Sequence, residues 1–254
     1  GGLMSITGLP DGEPGGGPQR VGVAISDLTT GMNAAIAILS ALHHRNHTGE
    51  GQYIDLALLD VQVSWLANQA QNYFCSGKTP VRTGAQHPNL APYQPFRTRD
   101  GSLIIAIGNE AQFGKLCGAL GLDALVFDPR FATNAARVEN REALVKTIEA
   151  VTALRTSADW TNELLALQIP CGPVRDIAGV FDDPQVQARQ MVVDVDHPEL
   201  GPVRTVANPT KYSATPLEYR KAPPALGVDC ERVLTDVLGL DQARIAELKS
   251  RGIV

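Results

Sequence analysis

A chain of 254 residues, 44% hydrophobic and 19% charged, with mean hydropathy near zero, is long enough for one large globular domain or two small ones. Its net charge of -5 argues against a broad basic face for nucleic acid, while leaving room for a local basic pocket. No uninterrupted apolar run reaches membrane-helix length, so no membrane partner is expected.

The chain opens on Gly1-Gly2-Leu3, with neither an initiator Met nor a visible signal or transit segment. A start removed by processing, or a chain that continues upstream, is the expectation. Residues 8–20, "GLPDGEPGGGPQR", hold Gly and Pro at loop density. Their "GGG" lacks the Lys-Ser/Thr and the preceding strand of a phosphate loop, so a mobile surface loop is predicted.

From Asp27 to about His44, Leu28, Met32, Ala35, Ile36, Leu39 and Leu42 recur at helical spacing. Ser26 or Asp27 can cap this helix, and Gly49 and Gly51 lie beyond its end. "QYIDLAL" at 52–58 alternates like a strand, and a helical run follows at about 59–75. Residues 76–96 read as a Pro- and Gly-punctuated linker that also presents side chains. "GSLIIAIG" at 101–108 predicts a short buried strand after an Asp100-Gly101 turn. Helices are predicted over 110–121, 140–154 and 157–167, with another short strand at 169–174. Residues 190–209 predict a hairpin turning at about 197–201, and two helices lead to Val254. Strands interleaved with helices make the fold α/β, with roughly 97–180 able to form a small domain. There is no internal repeat.

Several residues are candidates for chemistry. Asp27, at a helix start, can be a cap and nothing more, because unpaired N–H groups and the helix dipole both favour a carboxylate there. If Ser26 caps instead, Asp27 is free to project, and Gly31 one turn later leaves a bare face that a ligand or another backbone can approach. His87 and Asn89 sit in "GAQHPNLAPYQPF", where prolines restrict the loop. Glu110 follows the strand in "IAIGNEAQF", with Asn109 as the expected cap, and is either a dipole complement or a site residue. His43 and His47 are spaced for one helix face, but no Cys or acidic group matches them, so they read as dipole complements and no metal is expected. Cys75, Cys117, Cys171 and Cys230 are scattered and include no CxxC pair, as expected of free thiols in an intracellular enzyme.

Six segments together resemble class III CoA-transferases, the family of formyl-CoA transferase, carnitine CoA-transferases and α-methylacyl-CoA racemase. They are "GGLMSITG", "VGVAISDLTTGMNAAIAILSALHHRNHTGEGQYIDLALLD", "HPNLAPYQPFRTRDG", "IAIGNEAQF", "PCGPVRDIAGVFDDPQV" and "PPALGVD". They occur in family order, the second is the most specific, and "HPNLAPYQPF" and "GNEAQF" look closest to succinate-hydroxymethylglutarate-type dicarboxylate transferases. The resemblance implies an α/β fold with an incomplete Rossmann-like large domain and a small α/β domain, in an interlocked homodimer. By that analogy residues 1–75 and 181–254 belong to the large domain, 76–96 to a linker and 97–180 to the small domain. It further implies that this is the C-terminal portion of a longer, cytoplasmic enzyme.

The family nucleophile falls on Asp27. The implied reaction moves coenzyme A between an acyl-CoA and a free acid, such as a small dicarboxylate, with the CoA thioester as substrate and no resident cofactor. Backbone N–H groups around Thr29 and Thr30 are then expected to stabilise oxyanions, while His87 and Asn89 contact the acyl or acceptor carboxylate. Glu110 and Gly31 complete the expected substrate site. Two rivals remain. One is racemisation α to a thioester, with Asp27 as acid/base and Glu110 in an "E-x-Q-F" pattern; the other is an inactive chain acting only in assembly.

Overall fold

The structure, a computed structural model, describes residues 1–254. The chain divides into two compact units, Gly1–Val174 and Arg175–Val254, and it is a mixture of helices with two antiparallel sheets.

The first unit begins as a loop, pinned where the Gly84 N–H donates to Gly8 O at 3.0 Å and Arg82 pairs with Asp11. Helix α1 (Ile25–Thr48) follows and stops at Gly49, whose φ of 81° is the left-handed conformation that closes a helix. Thr29 is its one buried residue. Leu28, Met32, Ile36 and Leu39 lie exposed. By length and composition α1 is also the one helix apolar enough to cross a membrane. Small residues between its Leu and Ile keep the segment apolar without forming an uninterrupted run.

The predicted strand at 52–58 is not one. The chain there is unpaired, with Tyr53 90% exposed; extended backbone needs a neighbouring ladder to become a strand, and none runs alongside. The helical run predicted at 59–75 divides into α2 (Leu58–Ser64) and α3 (Ala67–Ser76), with Ala67 at φ 45°. No Gly or Pro marks the break.

The packed part of this unit is built on a three-stranded sheet, β1 (Tyr93–Arg97), β2 (Ser102–Ala106) and β3 (Cys171–Pro173), in the order β1-β2-β3. Phe96 and Leu103 are a cross-strand pair, and with Ile105 they face the core while Ile104 points outward, as a period of two requires. Onto that face pack α4 (Glu110–Leu120), α6 (Arg141–Thr152) and α7 (Ser157–Ala166), through Phe113, Leu116, Leu144, Ile148, Trp160 and Leu164. Each such side chain contributes about 1.5–3 kcal/mol when fully buried. Asn109 caps α4 as predicted, its side chain accepting from Gln112 N at 2.9 Å. A reciprocal capping box, Thr156 with Asp159, starts α7. The short α5 (Asn134–Glu139), capped by Thr133, was not predicted.

In the second unit, α8 (Ile177–Phe181) and α9 (Pro184–Ala188) are capped by Asp176 and Asp183. The predicted hairpin is present as β4 (Val192–His197) and β5 (Gly201–Val206), with Val195 opposite Val203. Helices α10 (Cys230–Asp236) and α11 (Gln242–Ser250) are joined by an ion pair between Glu231 and Lys249. Its buried apolar residues are few: Val195, Ala207, Ala222 and Ile245.

Candidate functional site

Asp27 occupies the third residue of α1, because the helix begins earlier than its sequence pattern implies. The cap position is Ala24, which forms no side-chain bond. Neither expected cap acts as one: Ser26 Oγ donates instead to Oε1 of Gln62 on α2, and the Asp27 carboxylate is exposed and unpaired. The first helical bond runs from Leu28 N–H to Ala24 O at 3.1 Å. The N–H groups of Ser26 and Asp27 come before it and have no acceptor in the chain. The expected oxyanion donors therefore shift from Thr29 and Thr30, which lie inside the helical ladder, to Ser26 and Asp27. One turn on, Thr30 Oγ1 is shielded and without a partner, and a Cβ added at Gly31 would meet nothing within 4 Å. The result is a free carboxylate at the positive end of a long helix, beside unused backbone donors and an open face.

A second assembly surrounds residues 87–91. The His87 N–H donates to Tyr93 O at 2.9 Å, and the imidazole stacks on the Tyr93 ring, centroids 5.1 Å apart. The Asn89 N–H donates to His87 Nδ1 at 3.1 Å. Three alternate carbonyls are then held from α5 and α6: His87 O by Arg141 Nη2 at 2.8 Å, Asn89 O by Asn134 Nδ2 at 2.8 Å, and Ala91 O by Arg137 Nε at 2.7 Å. Asn134 Oδ1 also accepts from Ala91 N at 3.1 Å. The Asn89 side chain exchanges amide bonds with Asn72 on α3, at 3.2 and 3.3 Å.

Glu110 underlies this assembly. Its Oε2 accepts from Arg137 Nη1 at 2.5 Å and its Oε1 from Asn134 N at 3.1 Å. Arg137 is 1% exposed, gives a further bond to Phe131 O and lies over the Phe113 ring. Charged groups this deep require partners, and Glu110 supplies the counter-charge. That hydrogen bond and charge, with the Asn134 N–H, hold the Glu110 carboxyl below its ordinary range against the opposing effect of burial.

A sequence profile described as CoA-transferase family III matches residues 1–230. The chain belongs to CoA-transferase family III. It is 43% identical, over 93% of its length and 58% of the relative's, to a succinate–glutarate CoA-transferase of Agrobacterium fabrum. It is 38% identical, over 100% of its length and 57% of the relative's, to a succinyl-CoA:glutarate CoA-transferase of Mus musculus. Among solved structures it resembles a CAIB/BAIF family protein from Brucella suis, with a TM-score of 0.75 at 43% identity, covering 93% of this chain and 60% of that one. The chain therefore spans less than two thirds of the length of the relatives it matches.

Within this family III chain, His87, Asn89 and Glu110 are brought together through Asn134, Arg137 and Arg141. Asp27 and Gly31 lie apart from them on α1, and no hydrogen bond or ion pair joins the two sets. Two clefts, one of about 340 Å³ beside His197 and Asp229 and one of about 320 Å³ beside Leu66 and Tyr73, include none of the expected site residues. The cysteines are free, as predicted, and burial pushes the Cys117 thiol up to about 11, which makes it a poor nucleophile. The row missed in the sequence is Asn134, Arg137 and Arg141. Asn134 and Arg137 lie on α5 and Arg141 on α6, and polar or charged residues at helical spacing ordinarily point to water.

Proposed function

We propose that the chain carries the nucleophile of an enzyme that moves coenzyme A from an acyl-CoA to a free carboxylic acid, with a small dicarboxylate such as succinate as acceptor or donor. The observation that carries this reading is the exposed, unpaired Asp27 carboxylate in the first turn of α1, in a family whose named relatives transfer CoA between dicarboxylates. An Asp27 oxygen attacks the thioester carbonyl; the tetrahedral intermediate expels CoA thiolate and leaves a mixed anhydride. The thiolate attacks the aspartyl carbonyl of that anhydride, releasing the first acid and leaving an Asp27–CoA thioester. The incoming carboxylate attacks this thioester to form a second anhydride, and the thiolate takes its acyl group, restoring Asp27.

A carboxylate is a weak nucleophile, so orientation must provide much of the acceleration, an effect worth about 7–11 kcal/mol for well-placed neighbours. The unused N–H groups of Ser26 and Asp27 are donors for the oxyanion of each tetrahedral intermediate. Gly31 leaves the helix face open to the thioester. His87 and Asn89 contact the acyl or acceptor carboxyl group, and Glu110 contributes by fixing Arg137. The interlocked homodimer, the Rossmann-like large domain, the division at 76–96 and 97–180, and a cytoplasmic location belong to the same proposal. So do the absence of a resident cofactor and the reading of α1 as a core helix of an α/β enzyme rather than a membrane anchor. Racemisation has nothing specific in its favour, since both Glu110 oxygens are occupied by this chain's own groups.

The test is chemical trapping. Full-length protein incubated with succinyl-CoA and then hydroxylamine is expected to carry a hydroxamate on Asp27, located by peptide mass spectrometry. Asp27→Ala is expected to lose both the label and turnover. Undiminished turnover by Asp27→Ala removes the proposal.

A further inference from the structure

The geometry points to His87 as a fixed Nε2–H donor to the substrate's carboxyl or thioester oxygen, with Asn134 and Arg141 as the positioning residues that hold it there. The identity of the ligand rests on the CoA-transfer reading above; the state and placement of the ring do not. A backbone N–H can only donate, so the bond from Asn89 N to His87 Nδ1 at 3.1 Å requires Nδ1 to be unprotonated. The ring proton then sits on Nε2, which has no partner in the chain. Stacking on Tyr93 fixes the plane of the ring. The backbone on either side is fixed by Arg141 at His87 O and by Asn134 at both Asn89 O and Ala91 N.

The charges around the ring act in the same direction. Arg141 on α6 faces it, Tyr93 of β1 lies against it, the Asn89–Asn72 contact with α3 is neutral, and Arg137 behind Ala91 is balanced by Glu110. Burial and then the Arg141 charge push the imidazole below its ordinary value. A neutral donor pre-aimed by contacts from Asn89, Tyr93, Arg141 and Asn134 suits an oxygen that gains negative charge during attack, because nothing need reorganise as the charge appears. Arg141 Nη1 is shielded and has no partner. The cost of that unmet donor is consistent with a residue kept for where it holds the loop.

The chain has five histidines, so the His87 ring can be assigned by comparing wild type with His87→Gln. Nitrogen-15 NMR of the wild-type protein is expected to show His87 in the Nε2–H form, titrating below the ordinary histidine value. In Arg141→Gln its titration moves upward, and Arg141→Lys restores most of the shift. In transfer assays, Asn134→Ala is expected to lower kcat about tenfold, because a displaced donor stabilises the developing oxyanion less, with KM for the acceptor acid changed much less. An Nδ1–H ring, or a His87 titration at or above the ordinary histidine value, overturns the proposal whether or not the protein transfers CoA. So does an Asn134→Ala that raises KM and leaves kcat unchanged. If Arg141→Gln fails to fold, the wild-type tautomer and titration still decide. A wild type that shows the Nε2–H ring but no CoA transfer defeats the functional reading and leaves the ring assignment standing.

Discussion

Leu103 and Leu39 are the same side chain in two regions of one compact unit, 0% and 66% exposed respectively. Around Leu103, three strands and three helices bury Phe96, Ile105, Leu144 and Leu164 completely. Around Leu39, a helix of 24 residues buries only Thr29. An apolar helix of this length is thus left largely uncovered. Hydrogen bonding and the Gly49 stop suffice to shape α1, whereas this chain's own packing leaves its Leu and Ile largely exposed. The difference matters because the proposed nucleophile stands on the poorly covered helix, while the loop proposed to meet the substrate is braced by α5 and α6.

Truncation on each side tests that contrast most strongly. Leu103→Ala is expected to cost about 2–5 kcal/mol and Leu39→Ala, in dilute protein, less than about 0.5 kcal/mol, both read from denaturation midpoints. If a second copy covers α1, the Leu39→Ala cost grows with protein concentration. Equal costs at high dilution would break the comparison.

A smaller effect is expected at Glu110, where the braced region meets the loop. Glu110→Gln leaves Arg137 without its counter-charge. The cost is about 1–3 kcal/mol, reduced because the Glu110 side chain is 57% open to water. Since the folded state holds this carboxyl low, its stabilisation is present above the unfolded-state pKa and is lost as pH falls through the folded-state pKa. Denaturation across the acid range is expected to show a shallower pH dependence in Glu110→Gln than in wild type.

At Gly31 a small gain in stability is expected instead of a loss. Because nothing lies within 4 Å of an added Cβ, Gly31→Ala gains up to about 1 kcal/mol from helix propensity. The same methyl group narrows the open face beside Asp27, so transfer activity is expected to fall while thermal stability rises. Loss of stability there would show that the face is already filled.

Alternation and turn residues make the β4–β5 hairpin legible in the sequence, as Asn109 makes the α4 cap and buried runs make β2. These signals are local. The strand expected at 52–58 fails because pairing is not local: "QYIDLAL" has the alternation and lacks a neighbour. Helix α1 was recognisable from its spacing, but its start was placed two residues late, since Ala24 carries none of the usual capping chemistry. At the site, Asp27, His87, Asn89 and Glu110 stand out by residue type and setting. The Asn134–Arg137–Arg141 row does not, because burial of an arginine depends on Ala91, Phe131 and Glu110, up to 46 residues away in the chain.

The path of oxygen through one turnover tests the central claim most directly. With succinate labelled by oxygen-18 in its carboxylates as acceptor, attack on the Asp27–CoA thioester places a labelled oxygen between the two acyl groups. Transfer of CoA then leaves that oxygen on Asp27. Mass spectrometry of the Asp27 peptide after a single turnover is expected to show one labelled oxygen; formation of succinyl-CoA with Asp27 unlabelled would contradict the account.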